Sequence, residues 1–359
     1  MNRRKSRIEE RLVERARQDG PLTFAEVMEE ALYGEGGYYA GSSAPIGIDG
    51  DFVTGSSFSP LFGRSTARVL ARLGRALGAP ADYLEVGQGN GEHLAKVAEV
   101  TAALPSGRIL ACDRVPRPAP GNVEQIDGLG SLAKGELSGL VFSYELFDAQ
   151  PIHRLVGRAG GLGEVWVSAD PEGRLRFEEG DLSDPELASL LCGASLEPGQ
   201  IADLSPDWRP LYRALVAPLA RGLVVTCDYG FERSALLDSR IRRLGTLACY
   251  REQRVHRDPL RALGEDDLTA HVDFTALRET GEELGLETVT LTRQARWLLA
   301  AGLFEDLEGA DAAQRTQAMT LLDGAGMGEE IRVLVQAKGV EVDGVLSREM
   351  LGGVGSESP

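Results

Sequence analysis

With 359 residues, 43% of them hydrophobic and 26% charged, the chain is long enough to fold around a sizeable core. Its formal net charge of −17 argues against a nucleic-acid backbone or an anionic membrane as the main partner, because both would repel it. Its four cysteines are scattered, without a CxxC pair or a histidine at zinc-ligand spacing, so the sequence predicts neither a disulfide framework nor a metal site.

The sequence also predicts no insertion into a membrane. No stretch reaches about 18 consecutive apolar residues. The first 20 residues are partly basic, yet they lack the apolar segment of a secretory signal and contain too many glutamates for a transit peptide. We therefore expect a cytoplasmic protein.

Residues 1–63 predict a helical N-terminal extension that ends in a long loop. Residues 6–18 and 23–32 are amphipathic, and Thr23 with Glu26 has the spacing of a capping box. Residues 33–63 are rich in glycine and serine and contain several aromatic side chains. A loop of this length is typical of functional or disordered segments, and we expect this one to cover a ligand.

From residue 64 to about 340, strand-like and helix-like segments alternate, which is typical of a parallel sheet flanked by helices. The predicted strands are residues 82–87, 108–113, 122–127, 138–145, 222–230, 286–292 and 331–338. Short alternating runs predict an antiparallel insertion at about 151–205, and a second, irregular insertion occupies about 231–274. We expect one α/β domain with two insertions, followed by a flexible tail over 341–359.

The stretch "YLEVGQGNGEHL" contains three glycines, Gly87, Gly89 and Gly91, directly after a predicted strand. A dinucleotide fingerprint does not fit, because Glu92 stands where the third glycine of G-x-G-x-x-G belongs. The pattern instead resembles motif I of S-adenosylmethionine (SAM) methyltransferases. Glu85 favours this interpretation, since a carboxylate attracts the cationic amino and sulfonium groups of SAM but repels a diphosphate.

Three aspartates are further candidates for cofactor binding. Asp113 ends the second strand, where an acceptor for ribose hydroxyls is expected. Asp127 ends the third strand, a place where methyltransferases often recognise the adenine amino group. Asp51, in the glycine-rich loop, could fold over the cofactor. Each could instead be an ordinary solvated aspartate at a strand end or a turn.

Seven further segments between about residues 20 and 340 resemble the MidA family of SAM-dependent methyltransferases, which includes the mitochondrial complex I assembly factor and many bacterial homologues. They are "PLTFAEVMEEALYGEGGYYA", "GDFVTGSSFSPLFG", "ELFDAQPIHRLV", "DYG", "GTLACYREQRV", "DLTAHVDF" and "MGEEIRVLVQAKG". The resemblance implies a class I SAM-methyltransferase, Rossmann-like α/β sheet with a helical N-terminal extension and cap insertions. For the best understood eukaryotic branch it also implies methylation of protein arginine.

Four positions depart from the family pattern. Ser56 and Ser57 stand where the family has Pro-Glu, Tyr144 replaces an asparagine, and Gln150 replaces a leucine. The glycine loop and its acidic partners are intact. The resemblance therefore supports cofactor binding more firmly than it supports a particular substrate.

The segment "YELFDAQP", after the fourth strand, supplies two candidate catalytic carboxylates. Glu145 and Asp148 could hold an arginine guanidinium, since carboxylates form bidentate hydrogen bonds with this planar cation. Alternatively, Asp148 caps a turn and Glu145 braces the cofactor pocket. His271 is a third candidate, as a base, although a histidine near a helix start is often a capping or packing residue, and Asp273 could cap that helix.

The leading hypothesis is a SAM-dependent methyltransferase that modifies a protein side chain, namely that of arginine. One alternative keeps SAM but transfers the methyl group to oxygen or nitrogen of a small molecule. Another is a SAM-binding assembly chaperone without turnover. We expect a protein substrate as partner, no nucleic acid, and a homodimer as a possible assembly.

Overall fold

The structure, a computed structural model, describes residues 6–40, 55–115, 117–323 and 327–352. Its helices are α1 (Arg7–Gln18), α2 (Phe24–Tyr33), α3 (Gly55–Phe58), α4 (Pro60–Leu77), α5 (Glu92–Thr101), α6 (Trp208–Val216), α7 (Arg233–Leu236), α8 (Ser239–Arg242), α9 (Phe274–Glu283), α10 (Gln294–Ala301), α11 (Leu303–Leu307), α12 (Ala312–Leu322), α13 (Met327–Glu330) and α14 (Arg348–Leu351). Two short 3-10 helices span Leu129–Ser131 and Pro185–Leu191.

The strands, in chain order, are β1 (Leu22–Thr23), β2 (Asp82–Val86), β3 (Ile109–Cys112), β4 (Glu124–Ile126), β5 (Leu137–Tyr144), β6 (His153–Arg158), β7 (Gly161–Ala169), β8 (Leu175–Gly180), β9 (Ile201–Leu204), β10 (Leu219–Phe231), β11 (Ala248–Arg251), β12 (Arg254–His256), β13 (Asp267–Thr269), β14 (Val272–Asp273), β15 (Glu287–Arg293) and β16 (Ile331–Lys338).

The central sheet has the strand order β15-β16-β10-β5-β2-β3-β4, with β14 paired to the end of β10. Strands β2, β3, β4, β5 and β10 are parallel, whereas β16 is antiparallel to both of its neighbours. The predicted α/β sheet is thus confirmed. Because β3 and β4 lie on one side of β2 and β5 lies on the other, the strand order reverses at β2, where open α/β sheets bind ligands.

Helices cover both faces of this sheet. Successive side chains of a strand point to opposite faces, so Tyr83 packs into one hydrophobic cluster and Leu84 into the other. Helices α4, α5 and α10 belong to the cluster of Tyr83, and α6 and α9 belong to the cluster of Leu84, which α1 and α2 extend towards the first insertion. The parallel strands are therefore buried on both sides, as their apolar sequences require.

The N-terminal extension joins the first insertion through a shared sheet. Strands β6, β7, β8 and β9 are antiparallel, and the short strand β1 pairs with β7 at its edge, with Leu22 opposite Val167. The capping box of Thr23 and Glu26 starts α2 directly after β1. This packing fixes α2 against the first insertion, and Tyr33 at its end reaches the Ala149 carbonyl in the segment after β5.

Two segments are more ordered than the sequence predicted. The second insertion contains a three-stranded antiparallel sheet, β12-β11-β13, whose strands of three or four residues are too short to show an alternating pattern. Residues 341–352, predicted to be part of a flexible tail, pack against the helical layer through buried Val342, Val345, Leu346 and Leu351. The surface that buries these apolar side chains forms only when the domain folds, so the sequence pattern alone did not predict their order.

Across the described part of the chain, no helix is both long enough and apolar enough to cross a membrane.

Candidate active site

A cavity of about 330 Å³ opens at the carboxyl ends of β2, β3 and β5. Small-molecule sites commonly start at about this size, and the reversal of strand order places one at this edge. Its walls come from the glycine loop, from the segments that follow β3, β4 and β5, from the N-terminal extension, from α6 and from the second insertion. Segments far apart in the chain therefore meet around one ligand-sized space.

The glycine loop follows β2 in a conformation that favours glycine. Gly87, Gly89 and Gly91 have φ values of +75°, +55° and +77°, in the left-handed region that other residues rarely adopt. A Cβ at Gly87 would also lie 2.9 Å from the Leu146 Cδ1 atom. Gly91 is the N-cap of α5, so the loop delivers a helix N-terminus to the cavity.

Glu85 lies on β2 with 4% of its surface exposed, and it lines the cavity. Its Oε2 atom accepts hydrogen bonds from the Tyr83 hydroxyl at 2.6 Å and from His93 Nδ1 at 2.9 Å. Sequence reasoning missed both partners. Tyr83 could have been found as the residue on the same strand face, two positions before Glu85.

Asp113 and Asp127 both line the cavity, in different surroundings. The Asp113 carboxylate accepts the backbone N–H groups of Gly89 at 3.1 Å and Val115 at 2.8 Å, and burial raises its pKa above the ordinary value. Asp127 is exposed at the cavity wall. Asp51, the third predicted aspartate, lies outside the described residues.

A cluster of acids occupies the other end of the cavity, where Glu145 is half-buried and Asp148, Asp228 and Asp267 are buried. Glu145, Asp148 and Asp267 line the cavity, and Asp228 lies behind them on β10. Burial, reinforced by the neighbouring carboxylates, raises the pKa of Glu145 and of Asp148 well above the ordinary range. Burial also raises the pKa of Asp228, to about 7. Burial and the mutual repulsion of these carboxylates therefore oppose the full ionisation of the cluster.

Asp228 fixes the turn that presents the two predicted catalytic carboxylates. Its Oδ2 atom accepts the backbone N–H groups of Leu146 at 3.1 Å and Phe147 at 2.8 Å. Glu145 has φ +49°, a strained conformation for a residue with a side chain. The sequence contained a signal for Asp228, since it belongs to the "DYG" segment, but no role was assigned to it there.

The N-terminal extension contributes two tyrosines to the acidic end. The Tyr39 hydroxyl donates to Asp267 Oδ1 at 2.7 Å, and the Tyr33 hydroxyl donates to the Ala149 carbonyl at 3.1 Å. The two rings stack at 5.5 Å, and the Arg114 guanidinium lies 4.1 Å from the centre of the Tyr33 ring. Neither tyrosine nor Asp267 was predicted, because their positions depend on how distant segments pack.

The structure does not bring His271 to the cavity, so the predicted role as a catalytic base lacks geometric support. Its ring packs 5.3 Å from the Phe231 ring, and burial lowers its pKa to about 4, which keeps it neutral. Asp273 caps α9 by accepting the Ala276 N–H at 3.1 Å. Both residues have the structural roles that were the alternatives at the sequence level.

Three of the four departures from the family pattern lie at the cavity. Ser56, Tyr144 and Gln150 all contribute to its walls. The Tyr144 hydroxyl donates to Gln294 Oε1 at 2.6 Å, which ties the end of β5 to α10. These positions therefore line the same cavity as Glu145 and Asp148.

The charges around the cavity favour a cationic ligand. Its lining residues include six carboxylates, those of Glu85, Asp113, Asp127, Glu145, Asp148 and Asp267. Arg114, Arg117 and His93 are the basic residues among them, and Arg114 pairs with Glu29. A diphosphate would meet mostly repulsion here. Among the residues that the structure describes, no group of three or more His, Cys, Asp or Glu is arranged to hold a metal ion.

Comparison with known proteins agrees with this geometry. A family model described as "Putative S-adenosyl-L-methionine-dependent methyltransferase" matches residues 119–292. Curated relatives include the mitochondrial protein arginine methyltransferase NDUFAF7 of Rattus norvegicus, 27% identical over 76% of this chain and 69% of the relative, and that of Homo sapiens, 26% identical over 76% and 68%.

The solved structures include a similar protein from Burkholderia thailandensis, described as a "likely methyl transferase" and bound to S-adenosyl-homocysteine (SAH). It is 30% identical to this chain, covers 93% of both chains and has a TM-score of 0.83. A native crystal structure of a protein from the same organism matches with a TM-score of 0.80 and the same identity and coverage.

Proposed function

Because the chain belongs to the MidA family of SAM-dependent methyltransferases, we propose that its methyl acceptor is the guanidinium group of a protein arginine. Enzyme class and cofactor follow from the family, and the identity of the acceptor is the proposal. The curated relatives named above are protein arginine methyltransferases.

The buried acids at one end of the cavity carry the proposal. Within the described residues, no ion pair joins Glu145 or Asp148 to a basic side chain. Burying a carboxylate without a cation is unfavourable, which is why their pKa values rise. A guanidinium would supply the missing positive charge and two or more hydrogen bonds in one plane.

The other end of the cavity fits SAM. The open glycine loop and Glu85 would hold its cationic methionine end, Asp113 its ribose hydroxyls and Asp127 its adenine. Bound SAM supplies an electrophilic methyl group attached to a sulfonium. The enzyme then contributes chiefly alignment of the acceptor.

The acidic cluster also offers a place for the proton that the reaction releases. A guanidinium nitrogen that gains a methyl group must lose a proton to remain a monocation. The ionised Asp148 carboxylate can accept that proton, and its raised pKa makes it a stronger base than an exposed aspartate. Glu145, fixed at the strained turn, would orient the guanidinium plane.

The remaining expectations about partners and location stay predictions. The curated relatives are described as mitochondrial, and the sequence of this chain predicts a cytoplasmic protein. A homodimer and the absence of nucleic-acid partners also remain predictions from the sequence.

A labelling experiment tests the acceptor. The purified protein is incubated with methyl-labelled SAM and a cell extract, and the protein fraction is hydrolysed to separate methylated amino acids. We expect the label in methylarginine. Label in a small-molecule fraction would favour a small-molecule acceptor, and SAM binding without turnover would favour an assembly chaperone. Calorimetric titration with SAM and with NAD checks the cofactor, and we expect only SAM to bind.

A further inference from the structure

Glu85 is held by two side chains that are themselves buried. Tyr83 and His93 both bond to the Oε2 atom of its carboxylate. Burial and the neighbouring Glu85 raise the pKa of Tyr83 well above the ordinary range, so its hydroxyl keeps its proton and acts as a donor. Within the described residues, Oε1 has no hydrogen-bond partner, and Glu85 lines the cavity. Oε1 is thus the oxygen left for a ligand.

The His93 ring is held by aromatic neighbours. It is the second residue of α5, directly after the glycine loop. Its ring stacks on Phe142 at 4.7 Å and meets the Phe62 ring edge-on at 5.5 Å. These contacts fix the plane of the imidazole, and the direction of its Nδ1 atom with it.

Thr66, on α4, holds the opposite side of the ring. Its Oγ1 atom lies 3.1 Å from His93 Nε2 and 3.2 Å from the Phe62 carbonyl oxygen. A hydroxyl can donate or accept at Nε2, whereas an ionised carboxylate only accepts. Nδ1 must therefore carry a proton as long as Glu85 is ionised, and Thr66 is compatible with that arrangement.

We propose that His93 is a positioning residue for the cofactor: with the Tyr83 hydroxyl, it holds the Glu85 carboxylate so that Oε1 faces the methionine end of SAM. The inference rests on the proposed placement of that end of SAM beside Glu85. It assigns His93 an effect on one part of the ligand only, because the imidazole acts through Glu85 and not on the adenosine.

Two ligands separate this role from a general structural one. SAH and 5′-methylthioadenosine share the adenosine and the thioether sulfur, but only SAH has the amino and carboxyl groups of the methionine end. Calorimetry of His93→Leu should show SAH binding weakened by roughly tenfold or more, the usual effect of losing a hydrogen bond to a charged group. Binding of 5′-methylthioadenosine should change by less than about twofold.

Two conservative variants control for the packing of the ring. His93→Asn retains an N–H group close to Nδ1, and we expect it to recover most of the SAH affinity. Thr66→Val removes the bond to Nε2 at nearly constant volume and should cause a smaller loss, again confined to SAH. These variants also test the inference if His93→Leu does not fold.

Equal weakening of both ligands in the His93 and Thr66 variants, or unchanged SAH affinity, would overturn the inference. Glu85→Gln separates it from its premise. Unchanged SAH binding in Glu85→Gln removes the proposed placement of the methionine end, and the inference with it. If SAH binding is weakened in Glu85→Gln but unchanged in the His93 variants, only the role of His93 is overturned. We expect the double variant of Glu85 and His93 to lose no more affinity than Glu85→Gln.

Discussion

The two ends of the cavity are built in different ways. In the proposed function, the cofactor end comes from residues 83–93, from Asp113 directly after β3 and from Asp127 directly after β4. Its carboxylates bond to groups nearby, Glu85 to Tyr83 and Asp113 to the Gly89 N–H. The acidic end is assembled from the N-terminal extension, the turn after β5, the end of β10 and the second insertion.

In the proposed function, the first end binds the cofactor and the acidic end selects the methyl acceptor. The carboxylates of the cofactor end have local hydrogen-bond donors, so that end is preformed. At the other end, burial, reinforced by the neighbouring carboxylates, raises the pKa values of Glu145 and Asp148. In the proposed function, the extension and the insertion shape acceptor choice, while the central sheet provides the cofactor site.

The largest expected effect concerns the glycine loop. Gly87→Val should weaken SAM binding by more than about 100-fold, because a β-branched residue is strained at positive φ and its Cβ would collide with Leu146. Calorimetric titration measures the affinity. Gly285→Val is the matched control, since Gly285 has φ +82° but open space around it. Equal losses in both variants would contradict a local role for Gly87.

Substitutions at the acidic end should lower turnover without weakening cofactor binding. Asp148→Asn removes the proposed proton acceptor, and we expect methyl transfer to fall by about 100-fold or more. SAM affinity should change by less than about threefold, since the cofactor end is built separately. Asp266→Asn is the control, because Asp266 is equally buried but does not line the cavity. Loss of SAM binding in Asp148→Asn would contradict the assignment of cofactor binding and acceptor binding to separate ends of the cavity.

The pH dependence follows from the raised pKa of Asp228, about 7. A cationic acceptor binds best when the cluster is ionised, so methyl transfer at low acceptor concentration should rise by about tenfold in total between pH 6 and pH 8. Asp228→Asn should flatten this rise. Rates measured from pH 6 to pH 8 in both proteins check it, and an unchanged profile in the variant would assign the pH dependence to another group.

The raised pKa of Asp228 also predicts that the stability of the fold falls as pH rises. The folded state binds the Asp228 proton more tightly than the unfolded chain does, because its pKa in the folded state is raised. Its stabilising contribution is present below the unfolded pKa, near 4, and is lost as pH rises through about 7. Chemical denaturation across this range should show a smaller decline for Asp228→Asn, and an equal decline would exclude Asp228 as its source.

The smallest expected effects lie at the adenosine side. Asp113→Asn should weaken SAM binding by about tenfold, since Asp113 is held by two backbone N–H groups and is mostly buried. Asp127→Asn should weaken it by only about twofold, because Asp127 is exposed and its interactions are screened by water. Calorimetry of the two variants compares them, and the reverse order would move the ribose contact away from Asp113.

The sequence by itself determined the central sheet, the glycine loop, Glu85 and Asp113. These features depend on neighbours along the chain: apolar strands, glycines at fixed spacing and carboxylates at strand ends. The turn carboxylates Glu145 and Asp148 were found for the same reason, since they follow a strand whose end must face the cavity.

Only the tertiary structure decided which other residues join them. Asp228, Asp267 and Tyr39 are far apart in the chain, and packing of the insertion and the extension brings them to one cavity. The tertiary structure also packs His271 against Phe231, away from the cavity, and buries the apolar residues after 341. Local patterns record the period of a helix or a strand, whereas contacts between distant segments arise from the burial of surfaces that exist only once the chain has folded.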